Sequence, residues 1–207
     1  MKISVENQAD RRQAILAAAE EVFGDRGYAA TTMEAVAEKA DISKGSIYNY
    51  FRNKQELFKS LFTRAFQSAE GDWLAVLEAD MPVSQRMERM LDLWFTRLGY
   101  FRHVHRLILE FWATAARQED SSELVGTFRQ MYAYWRDKLT AILQSGKDAG
   151  EFPAQLNTQV AASLIMAILD GIEVQTAVDI GLRVDPEFVA ALKRAILAAL
   201  KAGGTSL

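Results

Sequence analysis

The sequence contains no cysteine, only two histidines and only three prolines among its 207 residues. Without cysteine the chain can form neither a disulfide framework nor a thiolate metal site. His103 and His105 are two positions apart, so on a helix their side chains point about 200° from each other and cannot chelate one ion. With no third histidine to join them, we predict no metal site.

Long apolar runs and catalytic signatures are also missing. No stretch of about 18 apolar residues occurs, and the N-terminus lacks the apolar segment of a secretion signal, so we expect a cytoplasmic protein with no membrane partner. The sequence has no G-x-S-x-G, Walker or G-x-G-x-x-G motif. We therefore expect no enzyme and no cofactor.

The apolar residues recur with helical periodicity almost throughout, and all three prolines fall where helices begin or end. This pattern predicts an all-α protein of about nine helices, with an N-terminal three-helix domain (residues 1–55) and a larger helical domain (residues 56–207). The predicted helices are 9–23, one starting at 31, then 44–51, 53–78, 83–101, 104–117, 122–145, 157–180 and 185–201.

Short polar residues mark the beginnings of three of the early helices. Thr31 and Glu34 have the spacing of a capping box, and Ser43 stands where it can cap the next helix. Asn53 and Glu56 repeat the cap-plus-three spacing. Two short helices joined by a tight turn and preceded by a supporting helix are the arrangement of a helix-turn-helix DNA-binding domain.

The helix over 44–51 has one apolar side and one polar side. Ile47 and Phe51 are four apart and share the face that we expect to anchor it. Lysine can reach a phosphate or a guanine edge, asparagine can pair with adenine, and hydroxyl groups suit phosphate oxygens. Phosphate contacts are also expected around the starts of the neighbouring helices. The candidate DNA-binding residues are Thr31, Thr32, Lys44, Gly45, Ser46, Tyr48, Asn49, Tyr50 and Lys54. The alternative is a polar helix that merely packs on the surface of a bundle.

The formal net charge of −3 does not favour nucleic acid by itself. Residues 1–55 contain eight lysine or arginine residues and eight acidic residues, so this part of the chain is neutral. Any DNA binding must therefore depend on where individual charges lie rather than on the total.

The segment "GYAATTMEAVAEKADISKGSIYNYFRNKQELF" resembles the N-terminal domain of the TetR family of transcriptional repressors. One departure is Asp41, where the family usually has glycine before the recognition helix. The resemblance implies a dimer that binds a near-palindromic operator on double-stranded DNA and is released by a small-molecule effector. We predict such a ligand-responsive regulator, a repressor in preference to an activator. The alternative is a helical small-molecule carrier or adaptor that has lost DNA binding.

The last two predicted helices, 157–180 and 185–201, are the candidates for a homodimer interface. Ala191, Ala195 and Ala199 repeat every four residues, and such a ridge of small side chains lets another helix approach closely. The helix over 157–180 is apolar on more than half its circumference, so it must be buried on most sides. Both helices are alternatively the core of a monomer.

Large aromatic residues crowd the helices between residues 73 and 135, and effector pockets are mainly apolar with a few polar anchors. Asp170 stands beside Gly171 within an otherwise apolar helix, and a buried acid must find a partner, water or a ligand. "DGIEVQ" loosely resembles choline-responsive relatives, which suggests a cationic or amphipathic effector. The candidate ligand-binding residues are Trp94, Tyr100, His105, Glu110, Phe111, Trp112, Phe128, Tyr132, Trp135, Asp170 and Glu173. Many of them are alternatively ordinary core.

Overall fold

A computed structural model of the chain describes residues 5–98, 109 and 123–203. These residues form helices and turns with no β-strand among them, which confirms the all-α prediction. The predicted helix over 104–117 lies outside the described residues, apart from Leu109. The helices, numbered here in chain order, are α1 (Val5–Ala30), α2 (Met33–Lys39), α3 (Lys44–Ile47), α4 (Lys54–Leu77), α5 (Val83–Leu98), α6 (Glu123–Asp148), α7 (Thr158–Ala177) and α8 (Pro186–Lys201).

The contacts divide the chain into two compact units. The first holds the described residues up to Ala69 together with Leu109, Glu123 and Leu124, and the second holds Glu70 to residue 98 and Val125 to residue 203. The division falls inside α4, so this helix contributes residues to both units. The boundary predicted at residue 55 lies at the start of the same helix.

In the first unit, α1 is longer than its apolar pattern suggested and is interrupted at Gly27, where φ is 75° and ψ is 171°. Glycine adopts this backbone without the steric cost that a Cβ would bring. Five apolar residues at helical spacing form the inner face of α1, and all five are almost fully buried. They are Ile15, Leu16, Ala19, Val22 and Phe23.

The turn between α2 and α3 is set by local hydrogen bonds. Thr32 caps α2 by accepting a hydrogen bond from the Ala35 amide at 3.2 Å, and Ser43 caps α3 through the Ser46 amide at 3.1 Å. Asp41 has a φ of 52°, so it adopts the left-handed backbone for which the family uses glycine. The aspartate departure therefore preserves the turn.

The start of α4 follows the predicted cap-plus-three spacing. The Asn53 side chain accepts a hydrogen bond from the Glu56 amide at 2.8 Å, and the Glu56 carboxylate accepts from the Arg52 amide at 2.9 Å. Further along the first turns of α4, Leu57, Phe58 and Leu61 are buried. The Phe58 ring packs edge-on against Phe23 at 5.3 Å, which ties α4 to α1.

The second unit has its own core, built from α4 to α8 around fully buried Met87 and Leu143. Glu151, between α6 and α7, closes the start of α5 by accepting hydrogen bonds from the Val83 amide at 2.6 Å and the Ser84 amide at 3.0 Å. Burial raises the pKa of Glu151, but these hydrogen bonds outweigh burial and leave the pKa below its ordinary value. A residue 68 positions away therefore supplies the cap.

Among the described residues, α7 is the one helix that is long and apolar enough to cross a membrane by length and composition. Its most apolar window has a mean hydropathy of 1.5, yet only 17% of that window is buried within the chain. One face of α7 packs in the core through Ala162, Ile165 and Ile172. A large share of its apolar surface is therefore left uncovered by this chain.

Candidate DNA-binding surface and effector site

The described structure gives α3 the two sides that the sequence predicted. Ile47 and Phe51 are 0% and 1% exposed, so they fix the helix to the first unit. On the opposite side Lys44, Gly45 and Asn49 are exposed, Tyr48 is 44% exposed, and Ser46 and Tyr50 are partly exposed. This side is free to enter a groove.

The regular helix ends earlier than predicted, at Ile47. Tyr48 to Tyr50 continue as a turn, in which the amides of Asn49 and Tyr50 donate to carbonyl oxygens three residues back. The tighter three-residue pattern is common where a helix ends. Asn49 nevertheless stays on the exposed side.

Gly45 occupies open space. A Cβ added there would meet only the Ser43 hydroxyl oxygen, at 4.0 Å. Glycine is unfavourable in a helix, and no neighbour within the first unit requires it. The missing side chain leaves room for another molecule to approach the backbone closely.

Lys44 is held by α2 in this structure. Its Nζ lies 2.6 Å from the Glu34 carboxylate, and the two side chains are 67% and 46% exposed. The hydrogen bond from Lys44 lowers the pKa of Glu34, and the same bond raises the pKa of Lys44. Glu34 was expected to complete a capping box with Thr31, and that expectation is wrong. The sequence carried no signal for the Lys44 pair.

Thr31 is the clearest disagreement with the predicted site. Its side chain is 1% exposed, and its hydroxyl donates to the carbonyl oxygens of Gly27 at 2.7 Å and Val22 at 3.3 Å. The hydroxyl is thus taken up by carbonyl oxygens near the end of α1, and it is not available to a phosphate. The cap of α2 moves one residue on, to Thr32, which is exposed.

Lys54 also has a partner within the chain. Its Nζ donates to the carbonyl oxygens of Tyr28 at 2.7 Å and Ala29 at 3.1 Å, and it lies 4.6 Å from the centre of the Tyr28 ring. A lysine that binds the last carbonyls of a helix stabilises that helix. Lys54 therefore joins α4 to α1, and a DNA contact would have to compete with these bonds.

The second unit brings three of the candidate effector residues together. The Tyr132 hydroxyl, on α6, donates to the Asp170 carboxylate of α7 at 3.1 Å. Burial raises the pKa of Asp170 to about 6, against the effect of the Tyr132 bond. Burial, and then the nearby charge of Asp170, raise the pKa of Glu173 to about 7. Two carboxyl groups three residues apart thus share one partly buried side of α7.

The aromatic candidates separate into distinct places. Trp135 lies 5.6 Å from Trp73, the Trp94 ring packs against Phe95 at 4.9 Å, and Phe128 is 4% exposed. Five further candidates lie outside the described residues: Tyr100, His105, Glu110, Phe111 and Trp112. No group of three or more histidine or acidic side chains suited to a metal ion occurs in the described part of the chain.

A third surface of interest is the outer face of α7. Val160, Leu164 and Ile168 are four residues apart, and they are 52%, 46% and 39% exposed. Gly171 continues the same stripe, and a Cβ added to it would meet nothing within 4 Å. The helical spacing places Asp170 and Glu173 away from this stripe, so α7 has an outer apolar face and a separate, partly buried acidic side.

Comparison with known proteins gives two family matches, on separate parts of the chain. Residues 15–61 match the bacterial regulatory proteins of the tetR family, and residues 75–202 match the C-terminal domain of BetI-type transcriptional repressors. The uncharacterised HTH-type transcriptional regulator YhgD of Bacillus subtilis (strain 168) is 33% identical over 143 residues, which are 66% of this chain and 71% of that protein.

Solved structures share the fold. A transcriptional regulator from Saccharomonospora viridis in complex with choline has a TM-score of 0.76 at 19% identity, over 93% of this chain and 96% of the other. FadR from Bacillus subtilis in complex with stearoyl-CoA has a TM-score of 0.70 at 20% identity, over 92% and 98%. With the exposed side of α3 and the two sequence matches, this chain belongs to the TetR family of DNA-binding, ligand-responsive transcriptional regulators.

Proposed function

We propose that the chain is a repressor that binds a near-palindromic operator as a homodimer and leaves it when an effector binds. The observation that carries the DNA contact is the exposed side of α3, where Lys44, Gly45 and Asn49 lie opposite buried Ile47 and Phe51. One short helix reads few base pairs, and two copies about 34 Å apart read successive major grooves. The match to BetI-type repressors supports repression.

The homodimer is proposed to form through α7 and α8. The stripe of Val160, Leu164 and Ile168 is an exposed apolar surface of the kind that marks an interface. On α8, Ala191 and Ala195 are exposed, and small residues there allow a second helix to come close. A two-fold axis would place the same stripe from each protomer face to face.

The effector is proposed to carry a positive charge. Two partly buried carboxyl groups, those of Asp170 and Glu173, lie on one side of α7, and the Tyr132 hydroxyl donates a hydrogen bond to the first of them. A cation is the group that such a face binds best, because its charge compensates carboxylates held out of water. The choline complex of the Saccharomonospora viridis regulator supports this class of effector.

Coupling between effector and operator is proposed to run along α4, which has residues in both units. An effector that binds more tightly to one of two positions of this helix changes the affinity for DNA. The change can be no larger than the difference between the effector affinities of the two positions.

The DNA contact is tested by selecting bound fragments from a random duplex pool and then measuring Gly45→Ala on the recovered operator. Because the added Cβ has open space, we expect Gly45→Ala to keep or raise the melting temperature, since alanine favours helix by about 1 kcal/mol. We expect it to weaken operator binding at least tenfold by blocking close approach to DNA. An unchanged operator affinity would contradict the docking of α3.

The effector class is tested by titrating the full chain with choline and, separately, with stearoyl-CoA, following tryptophan fluorescence. We expect choline to bind, and Asp170→Asn to weaken it at least tenfold. Asp179→Asn is the matched control, because Asp179 is an exposed acid just beyond α7 with a φ of 53°, which asparagine also adopts. Equal effects of the two substitutions, or binding of stearoyl-CoA alone, would exclude the cationic effector.

A further inference from the structure

Each lysine and arginine between residues 32 and 54 has an acceptor on its own chain. These pairs are Lys39 with Glu21, Lys44 with Glu34, Arg52 with Glu56, and Lys54 with the carbonyl oxygens of Tyr28 and Ala29. The positive charges that surround α3 are therefore balanced locally, which matches the eight basic and eight acidic residues of the first 55 positions. Non-specific DNA binding depends on unbalanced positive charge, since phosphate attraction supplies nearly all of it.

The Glu34–Lys44 pair differs from the others because it joins α2 to the exposed side of α3. Glu34 is the only acidic residue in the first turn of α2, two positions after the Thr32 cap. Both side chains remain largely exposed, so the pair contributes little to the stability of the fold. Its main consequence is where the Lys44 ammonium group lies and what charge this surface presents.

We propose that Glu34 is a specificity-determining residue, which holds Lys44 and repels phosphates so that DNA other than the operator binds weakly. On arbitrary DNA the surface meets mostly phosphate oxygens, and Glu34 opposes that contact while it neutralises Lys44. On the operator, Lys44 leaves Glu34 for an acceptor on a base edge, and the base contacts offset the lost ion pair. The proposal rests on the docking of α3 proposed above.

The test measures the affinity of wild type and Glu34→Gln for the selected operator and for a scrambled duplex by fluorescence anisotropy, at salt concentrations from about 50 to 200 mM. We expect Glu34→Gln to bind the scrambled duplex several-fold more tightly, with a salt slope steeper by about one per protomer. Operator affinity should change less, so the ratio of operator to scrambled affinity should fall.

Glu38→Gln is the matched control, because Glu38 is another exposed acid of α2 and the substitution removes the same charge. We expect Glu38→Gln to leave the affinity ratio close to that of wild type. If Glu34→Gln and Glu38→Gln behave alike, Glu34 has no special role. If Glu34→Gln instead weakens binding to both duplexes, and to the operator at least as much as to the scrambled duplex, Glu34 is itself a favourable DNA contact and the proposal is overturned.

Lys44→Gln separates this proposal from the function it rests on. If α3 docks on DNA, Lys44→Gln weakens binding to both duplexes, and adding Glu34→Gln to it has a smaller effect than Glu34→Gln alone. If Lys44→Gln changes neither affinity, the docking of α3 is wrong and the proposal falls with it. If Lys44→Gln weakens binding while Glu34→Gln matches its control, only the role of Glu34 is refuted.

Discussion

Leu164 offers the sharpest test of the proposed dimer, because it lies in the middle of the exposed stripe of α7. Its side chain is 46% exposed, between Val160 and Ile168. Full burial of a leucine contributes about 1.5–3 kcal/mol, so covering the exposed part contributes about 1 kcal/mol per protomer. A two-fold interface uses each residue twice, which gives about 2 kcal/mol per dimer.

Replacing Leu164 with glutamate removes this contribution and brings two carboxylates into an apolar contact, which adds to the loss. Because each 1.4 kcal/mol is a factor of ten, we expect the dissociation constant of the dimer to rise at least 30-fold or so. The assay is sedimentation velocity over a dilution series. The affinity for the operator should fall as the dimer dissociates, because a monomer presents only one recognition helix.

Ser163→Glu is the control for Leu164→Glu, since it adds the same charge to an exposed neighbour that lies to one side of the stripe. Circular dichroism should show that both variants keep the helical content of the wild type, because neither position is in the core. If Leu164→Glu stays dimeric to the same dilution as Ser163→Glu, the stripe of α7 is not the interface and the reasoning from its exposure is refuted.

Two further predictions concern the stability of the second unit, and both are measured by unfolding. A Cβ at Gly146 would lie 2.6 Å from a ring carbon of Phe152, so Gly146→Ala should cost about 1–3 kcal/mol, whereas Gly126→Ala on the same helix has open space and should not destabilise. Equal melting temperatures for the two variants would contradict the packing. Glu151→Gln should cost about 1 kcal/mol near neutral pH by weakening the cap of α5. Because the folded pKa of Glu151 lies below its ordinary 4.5, its stabilisation is present above that value and is lost as the pH falls through the folded pKa. The difference from wild type should therefore shrink in acid, and a difference that stays constant or grows would argue against the charged cap.

The interior faces of the short N-terminal helices were predictable because helical spacing fixes which residues share a side. The burial of Ile47 and Phe51, and of the five apolar residues of α1, follows from their spacing along the chain alone. The caps formed by Ser43 and Asn53 were predictable for the same reason, since each acts on an amide three residues away.

Errors arose where a residue's role depends on another helix. Thr31 and Thr32 look equivalent along the chain, but only the packing of α1 buries Thr31 beneath Gly27 and leaves Thr32 as the cap. Lys54 has the charge of a phosphate contact, yet its partners are carbonyl oxygens about 25 residues earlier. Glu34 was assigned to its own helix, and the fold gave it Lys44 instead.

The sequence by itself determined the helical fold, the recognition helix and the family, because each depends on residues within a few turns of one another. The tertiary structure alone decided that the side of α7 with Asp170 and Glu173 is partly buried and that Val160, Leu164 and Ile168 are left exposed. An apolar helix shows little preference for either face along its length. The fold partly buries both acids, and α6 supplies the Tyr132 hydroxyl as a hydrogen-bond donor to Asp170.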